Sequence, residues 1–120
     1  DEWAQAVQRY AEAIAVHEKT LGPDHAHSAY LLTGMGEAHQ NLGNHSEAMK
    51  FLSRAVVSQE QAGMAPQRIA EARILMAYSM WHSPAKRKEA LALAVRGRDD
   101  IKATRPEAAK DVDAWLRKHR

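Results

Sequence analysis

Trp3-Ala4-Gln5-Ala6-Val7, His45-Ser46-Glu47-Ala48-Met49 and Arg87-Lys88-Glu89-Ala90-Leu91 are three versions of one short phrase, set 42 residues apart. The register continues beyond them. Val7, Met49 and Leu91 correspond, then Tyr10, Leu52 and Ala94, then the small residues Ala13, Ala55 and Gly97. A fixed period of this size marks repeated supersecondary units, each completed by its neighbour because it cannot bury its apolar face alone. Small residues recur where helix axes come close, since bulk there would push the axes apart and lose interdigitated contacts. A surface built this way usually holds another protein, so the period is the main clue to function.

Working outward from those phrases, apolar spacing predicts six helices, at about 2–20, 27–42, 45–61, 66–82, 85–103 and 106–118. The first carries Trp3, Val7, Tyr10, Ile14 and His17 at intervals of three and four, the stripe of an amphipathic helix. The second presents Leu32, Met35 and His39; the third Ala48, Met49, Leu52, Ala55 and Val56; the fourth Ile69, Ala72, Met76, Ala77 and Met80. Leu21-Gly22-Pro23-Asp24, Gly43-Asn44, Gly63 and Ser83-Pro84 punctuate them, and Pro66 and Pro106 suit first helical turns. Linkers of two to six residues place successive helices antiparallel. The expected fold is all-α, a stack of antiparallel helix pairs closed by the last helix.

The 120 residues suit a single domain with a modest core, and a hydrophobic share of 45% argues against disorder. The longest apolar run, Ala90 to Val95, falls far short of the roughly 20 residues that span a bilayer, so no membrane association is expected. The absence of cysteine fits a reducing compartment, hence an expected cytoplasmic location. The chain opens on Asp1 with a helix under way within two residues, as a fragment of a longer protein would. Residues 1–60 hold four Lys/Arg against eight Asp/Glu, a balance of −4; residues 61–120 hold thirteen against seven, a balance of +6. Solvated helix faces account for such asymmetry, with an acidic partner or a head-to-tail contact between copies as the alternatives.

Chemistry finds little purchase here. Seven histidines include His25 and His27 in a loop and His39 and His45 about a turn, but no standard metal-ligand spacing appears. Lys86, Arg87, Lys88, Arg96, Arg98 and Lys102, with Lys110, Arg117, Lys118 and Arg120, form a basic stretch. Glu89, Asp99, Asp100, Asp111 and Asp113 interrupt it, which argues against nucleic acid as the partner. No nucleophile elbow, paired carboxylates or phosphate loop stands out, so neither catalysis nor a cofactor is expected.

Leu32, Met35, Gly36, His39, Gly43, His45, Ala48, Leu52 and Ala55 resemble the tetratricopeptide repeat. His39 and His45 stand where that motif usually has an aromatic. The period, with the linker Leu21-Gly22-Pro23-Asp24-His25, is similar to the longer, kinesin-light-chain type of repeat. The resemblance implies a right-handed superhelical stack, with helix B of a truncated repeat at 2–21, a complete repeat at 27–63, a divergent repeat at 66–104 and a capping helix at 106–118. Arg73 departs from a usually apolar position of the divergent repeat. Asp113-Ala114-Trp115-Leu116 and the closing His119-Arg120 also resemble the C-terminal regions of large bacterial serine/threonine kinases, which implies an upstream catalytic domain in a signalling protein.

By the same resemblance, helix A residues line a partner groove. Those are Tyr30, Thr33, Gly34, Glu37, Gln40 and Asn41 in the complete repeat and Glu71, Ile74, Leu75, Tyr78 and Trp81 in the divergent one. Tyr30, Tyr78 and Trp81 are the candidate anchors for a protein or peptide. Thr33 and Gly34 stand where related repeats often carry backbone-clamping asparagines, which argues against a conventional extended-peptide clamp. Ile74, Leu75 and Trp81 serve equally well as packing against the last helix. A self-association module is the second reading, because the Trp3, Val7, Tyr10 stripe lacks a preceding helix to cover it.

Overall fold

Six α-helices and two short 3-10 turns account for the computed structural model, which describes residues 1–120 and contains no strand. They are α1 (Glu2–Leu21), α2 (Ala29–Asn41), α3 (His45–Gln61), α4 (Pro66–Met80), α5 (Arg87–Ile101) and α6 (Pro106–His119). The all-α expectation holds. The helices predicted from 27 and 85 begin two residues later, because 3-10 turns at Ala26–Ser28 and Pro84–Lys86 take up the first residues. In the first of these, the His25 ring accepts a hydrogen bond from the His27 backbone N–H at 3.1 Å, holding the tighter turn.

Local chemistry sets the ends. The Asp1 carboxylate caps α1 by accepting from the backbone N–H groups of Trp3 at 2.7 Å and Ala4 at 3.3 Å. Gly22, Gly43 and Gly63 close α1, α2 and α3 at positive φ, which glycine adopts without steric cost. Asp24 is the one other residue there, at φ 55°, a conformation that Asp tolerates better than most side chains. Pro66 and Pro106 open α4 and α6 where a missing N–H costs nothing.

The chain divides into two compact units, residues 1–64 and 65–120. In the first, α1 and α3 both pack along α2. Gly34 and Gly36, two positions apart, lie on roughly opposite faces of that helix. The Tyr10 ring of α1 occupies the space a Cβ of Gly34 would fill. A Cβ at Gly36 would stand 2.5 Å from Cγ of Leu52 on α3. Leu32, Met35, Ala38, Ala48, Leu52 and Ala55 are buried around this centre. Ala48 has no exposed surface, whereas its register partner Ala6 is partly exposed because α1 packs chiefly along α2.

The linker between α1 and α2 is fastened to α3. Arg54 donates from Nε to Asp24 at 2.6 Å and from Nη2 to Glu18 at 2.8 Å, while the Ser58 hydroxyl donates to the Asp24 carbonyl at 2.6 Å. Burial disfavours the Arg54 charge, but the hydrogen bonds it donates to Asp24 and Glu18 outweigh that and raise its pKa.

In the second unit α4 and α5 form a hairpin, and α6 covers it. Ala109, Val112 and Leu116 of α6 enter the core made by Ala70, Ile74, Ala77, Ala94 and Ile101. Here the close approach is at Gly97, where a Cβ would stand 2.5 Å from Cγ1 of Ile74. Gly97 is the register partner of Ala55 in the first unit, so the same position is kept small in each hairpin. Ala90 is fully buried, like Ala48. Arg73 is buried as well, 3.7 Å from the Asp100 carboxylate of α5, so a charge pair replaces apolar packing between α4 and α5.

Replacing Gly36 by valine drives a branched side chain into Leu52. We expect a loss of about 1–3 kcal/mol of stability, measured by urea unfolding followed by circular dichroism. An unchanged midpoint would mean that α2 and α3 have room to separate.

Candidate functional site

Two helix faces repeat one pattern of spacing. On α2, Tyr30, Thr33, Glu37 and Gln40 recur at three, seven and ten residues from the first; on α4, Glu71, Ile74, Tyr78 and Trp81 do the same. Each set occupies one face of its helix. Their accessibility differs sharply.

Tyr30 stands out at 64% exposed, with its ring edge-on to His17 at 6.2 Å. Asn41 is exposed at the far end, donating from Nδ2 to the Glu37 carbonyl at 2.8 Å. Glu37 and Gln40 between them are half-buried. Thr33 is not on display. It is buried, and its hydroxyl donates to the Ala29 carbonyl one turn back at 3.0 Å, so the polar atom is spent on its own helix. Gly34, beside it, is filled by Tyr10.

On α4, Glu71 is exposed, but Ile74 is buried over Gly97 and is core. Burial removes Thr33 and Ile74 from the surface that a partner can reach without unfolding. Leu75 is half-buried. Tyr78 and Trp81 are half-buried against α6: the Tyr78 ring is 4.8 Å from that of Trp115, and Trp81 meets Trp115 edge-on at 5.8 Å. The anchors assigned to the divergent repeat therefore hold the capping helix in place. His119 stacks on Trp115 at 4.3 Å and meets Trp81 edge-on at 5.2 Å, while the Arg87 guanidinium lies 4.8 Å over the Trp81 ring. Packing of Trp81 on the last helix is one of the two readings the sequence leaves open, but spacing misses its Arg87 and His119 contacts, since they join residues from three helices; the Trp115 and His119 pair, four apart on α6, is their one local sign.

The histidines serve the fold. His17 Nδ1 lies 3.2 Å from the Ser28 hydroxyl, and His39 stacks on Phe51 with 5.6 Å between centroids. No three His, Asp or Glu side chains converge as metal ligands. A cavity of about 320 Å³ in the first unit is lined by Asp24, Ser53, Arg54, Val57, Ser58 and Gln61, and its polar groups Asp24, Arg54 and Ser58 are those of the linker clamp. No helix is long and apolar enough to cross a membrane.

Burial raises the Tyr78 pKa above its ordinary 10.0, with the Asp111 charge acting in the same direction. The unfolded chain therefore loses this proton first as pH rises, so the Tyr78 contribution is full below about pH 10 and is lost above it. We expect Tyr78→Phe to flatten the alkaline decline in stability above about pH 10, read from paired urea titrations. Parallel declines in both proteins would overturn the assignment.

A family model described as tetratricopeptide repeat matches residues 1–61, about half of the chain and nearly all of the first unit. No curated protein and no solved structure matches the chain significantly.

Proposed function

The chain belongs to the tetratricopeptide repeat family, and from that premise we propose a non-catalytic scaffold that docks a protein or peptide along the exposed face of α2. Repeats of this family are protein-interaction modules, which carries the coarse reading. The observation that carries the finer one is Tyr30, a large aromatic left 64% exposed beside half-buried Glu37 and Gln40 and exposed Asn41. Amphipathic aromatics of this kind are common interface anchors, with surrounding polar groups setting orientation. Within the second unit, taken by itself, exposed Glu71 and the half-exposed edges of Tyr78 and Trp81 are the corresponding candidates.

The linker clamp supports the longer, kinesin-light-chain-like type of repeat. Asp24 in that linker is fixed to α3 by Arg54 and Ser58, as an added linker of a regular array would need to be. A signalling chain of the serine/threonine kinase class, working in the cytoplasm, is the parent that the tail motif favours. A Gly-rich loop and a catalytic-loop Asp upstream of Asp1 would establish it, and their absence would end it.

Self-association is favoured by one observation. Only Ile14 of α1 is buried, and Trp3 and Val7 remain half-exposed with Val16 at 63%. Sedimentation of this chain beside one extended by a repeat separates biology from truncation; oligomers confined to the shorter chain would indicate an uncovered helix.

Tyr30→Ala tests the docking face directly. The side chain is exposed, so we expect stability to change by no more than about 0.5 kcal/mol, while affinity capture with the chain as bait loses its specific partners. Full capture by the folded variant would remove Tyr30 and its neighbours from the site.

A further inference from the structure

The second unit carries its positive charge in two zones of different character. At the end where α5 gives way to α6, charges are paired: Arg98 meets Asp113 at 2.9 Å and Asp99 at 3.0 Å, Lys102 lies 3.8 Å from Asp99, and Lys110 lies 3.3 Å from Glu107. At the opposite end Trp81 brings two distant stretches together. Arg87 covers its ring and donates from Nε to its carbonyl at 3.0 Å, and His119 meets the same ring at 5.2 Å. The start of α5, with Lys86, Arg87 and Lys88, thereby converges on the last turn of α6, with Arg117, Lys118 and Arg120. Lys86, Lys88, Arg117 and Lys118 are all exposed and join none of the ion pairs; Glu89 is the one carboxylate among them in sequence.

Helix electrostatics explain half of this pole. Cations in the last turn of α6 are stabilised by its macrodipole, but cations in the first turn of α5 oppose theirs, and the two groups repel one another. The fold thus keeps an uncompensated positive pole that an anion would relieve.

We propose that this pole docks an acidic protein segment, a short run of Asp and Glu, as a contact of the second unit separate from docking on α2. It rests on the scaffold reading and names the chemistry of the partner. Two observations favour carboxylates over nucleic acid. Carboxylates take over along α5 and α6 at Asp99, Asp100, Asp111 and Asp113, so no basic track follows a phosphate backbone. The rings are also engaged with one another, His119 on Trp115 and Arg87 on Trp81, leaving no open platform for stacked bases.

The test titrates the whole chain with a Glu/Asp-rich peptide of about ten residues, followed by calorimetry at low and physiological salt. We expect salt-sensitive binding that weakens at least about tenfold in Lys86→Glu/Lys88→Glu and in Arg117→Glu/Lys118→Glu. The first pair places acid at the residue before α5 and in its opening turn, where negative charge favours the helix, so its loss of binding is not a folding defect. Lys102→Glu/Lys110→Glu makes the same charge change at the paired end and should stay within about twofold. An equal loss in all three variants reduces the effect to net charge and overturns the proposal. So does absence of peptide binding, or tighter binding of oligothymidylate lost in the same variants. Partner capture that depends on Tyr30 but ignores the pole variants would overturn this proposal and leave the scaffold reading standing.

Discussion

Close approach of helices at positions without side chains is the constraint on which the rest of the structure depends. α2 is gripped from two sides, by Tyr10 over Gly34 and by Leu52 against Gly36. Two glycines in a helix interior cost roughly 1 kcal/mol each in propensity, so the fold recovers that loss through the apolar surface that Tyr10 and Leu52 cover. Ile74 against Gly97 solves the same problem in the second unit with the large residue on α4 and the small one on α5. What recurs along the chain is therefore the smallness of an interface position, more than the identity of its filler.

Once helices sit that close, polar atoms on them have few options. Thr33 turns its hydroxyl back onto its own helix, and Arg73 is drawn to Asp100 across the α4–α5 hairpin. Half-exposed pairs such as Arg54 with Asp24 and Glu18 contribute only about 1 kcal/mol or less, yet they set the path of the linker from α1 to α2. Their importance is geometric, because that path fixes where α2 begins and hence which of its residues face outward.

The capping helix illustrates how packing reassigns side chains. Val112 and Leu116, four apart on α6, are buried. Trp115 joined them by spacing but lies at the margin of the core, where it meets Tyr78 and Trp81. Periodicity gives the face of a helix and not its neighbours, so an apolar residue on α4 reads equally as a ligand contact or as a seat for α6. Ile74 shows the same ambiguity resolved by burial, whereas Tyr30, identical in register to Glu71, stays exposed. Nothing local marks Arg87, Trp81 and His119 as companions, since sequence separations of 6 and 38 residues from Trp81 become ring contacts only after three helices meet.

The sequence by itself determined the helices, their turns and the positions that had to stay small, because these depend on local spacing, capping chemistry and steric volume. Helix ends at Gly22, Gly43, Pro66 and Pro106 need no distant partner to be understood. Tertiary structure alone decided which candidate surface residues remained reachable, how Arg54 ties the linker down, and where unpaired cations gather around Trp81. Those outcomes turn on distances between helices, and a linear pattern fixes which faces pack without fixing which atoms across the interface will meet.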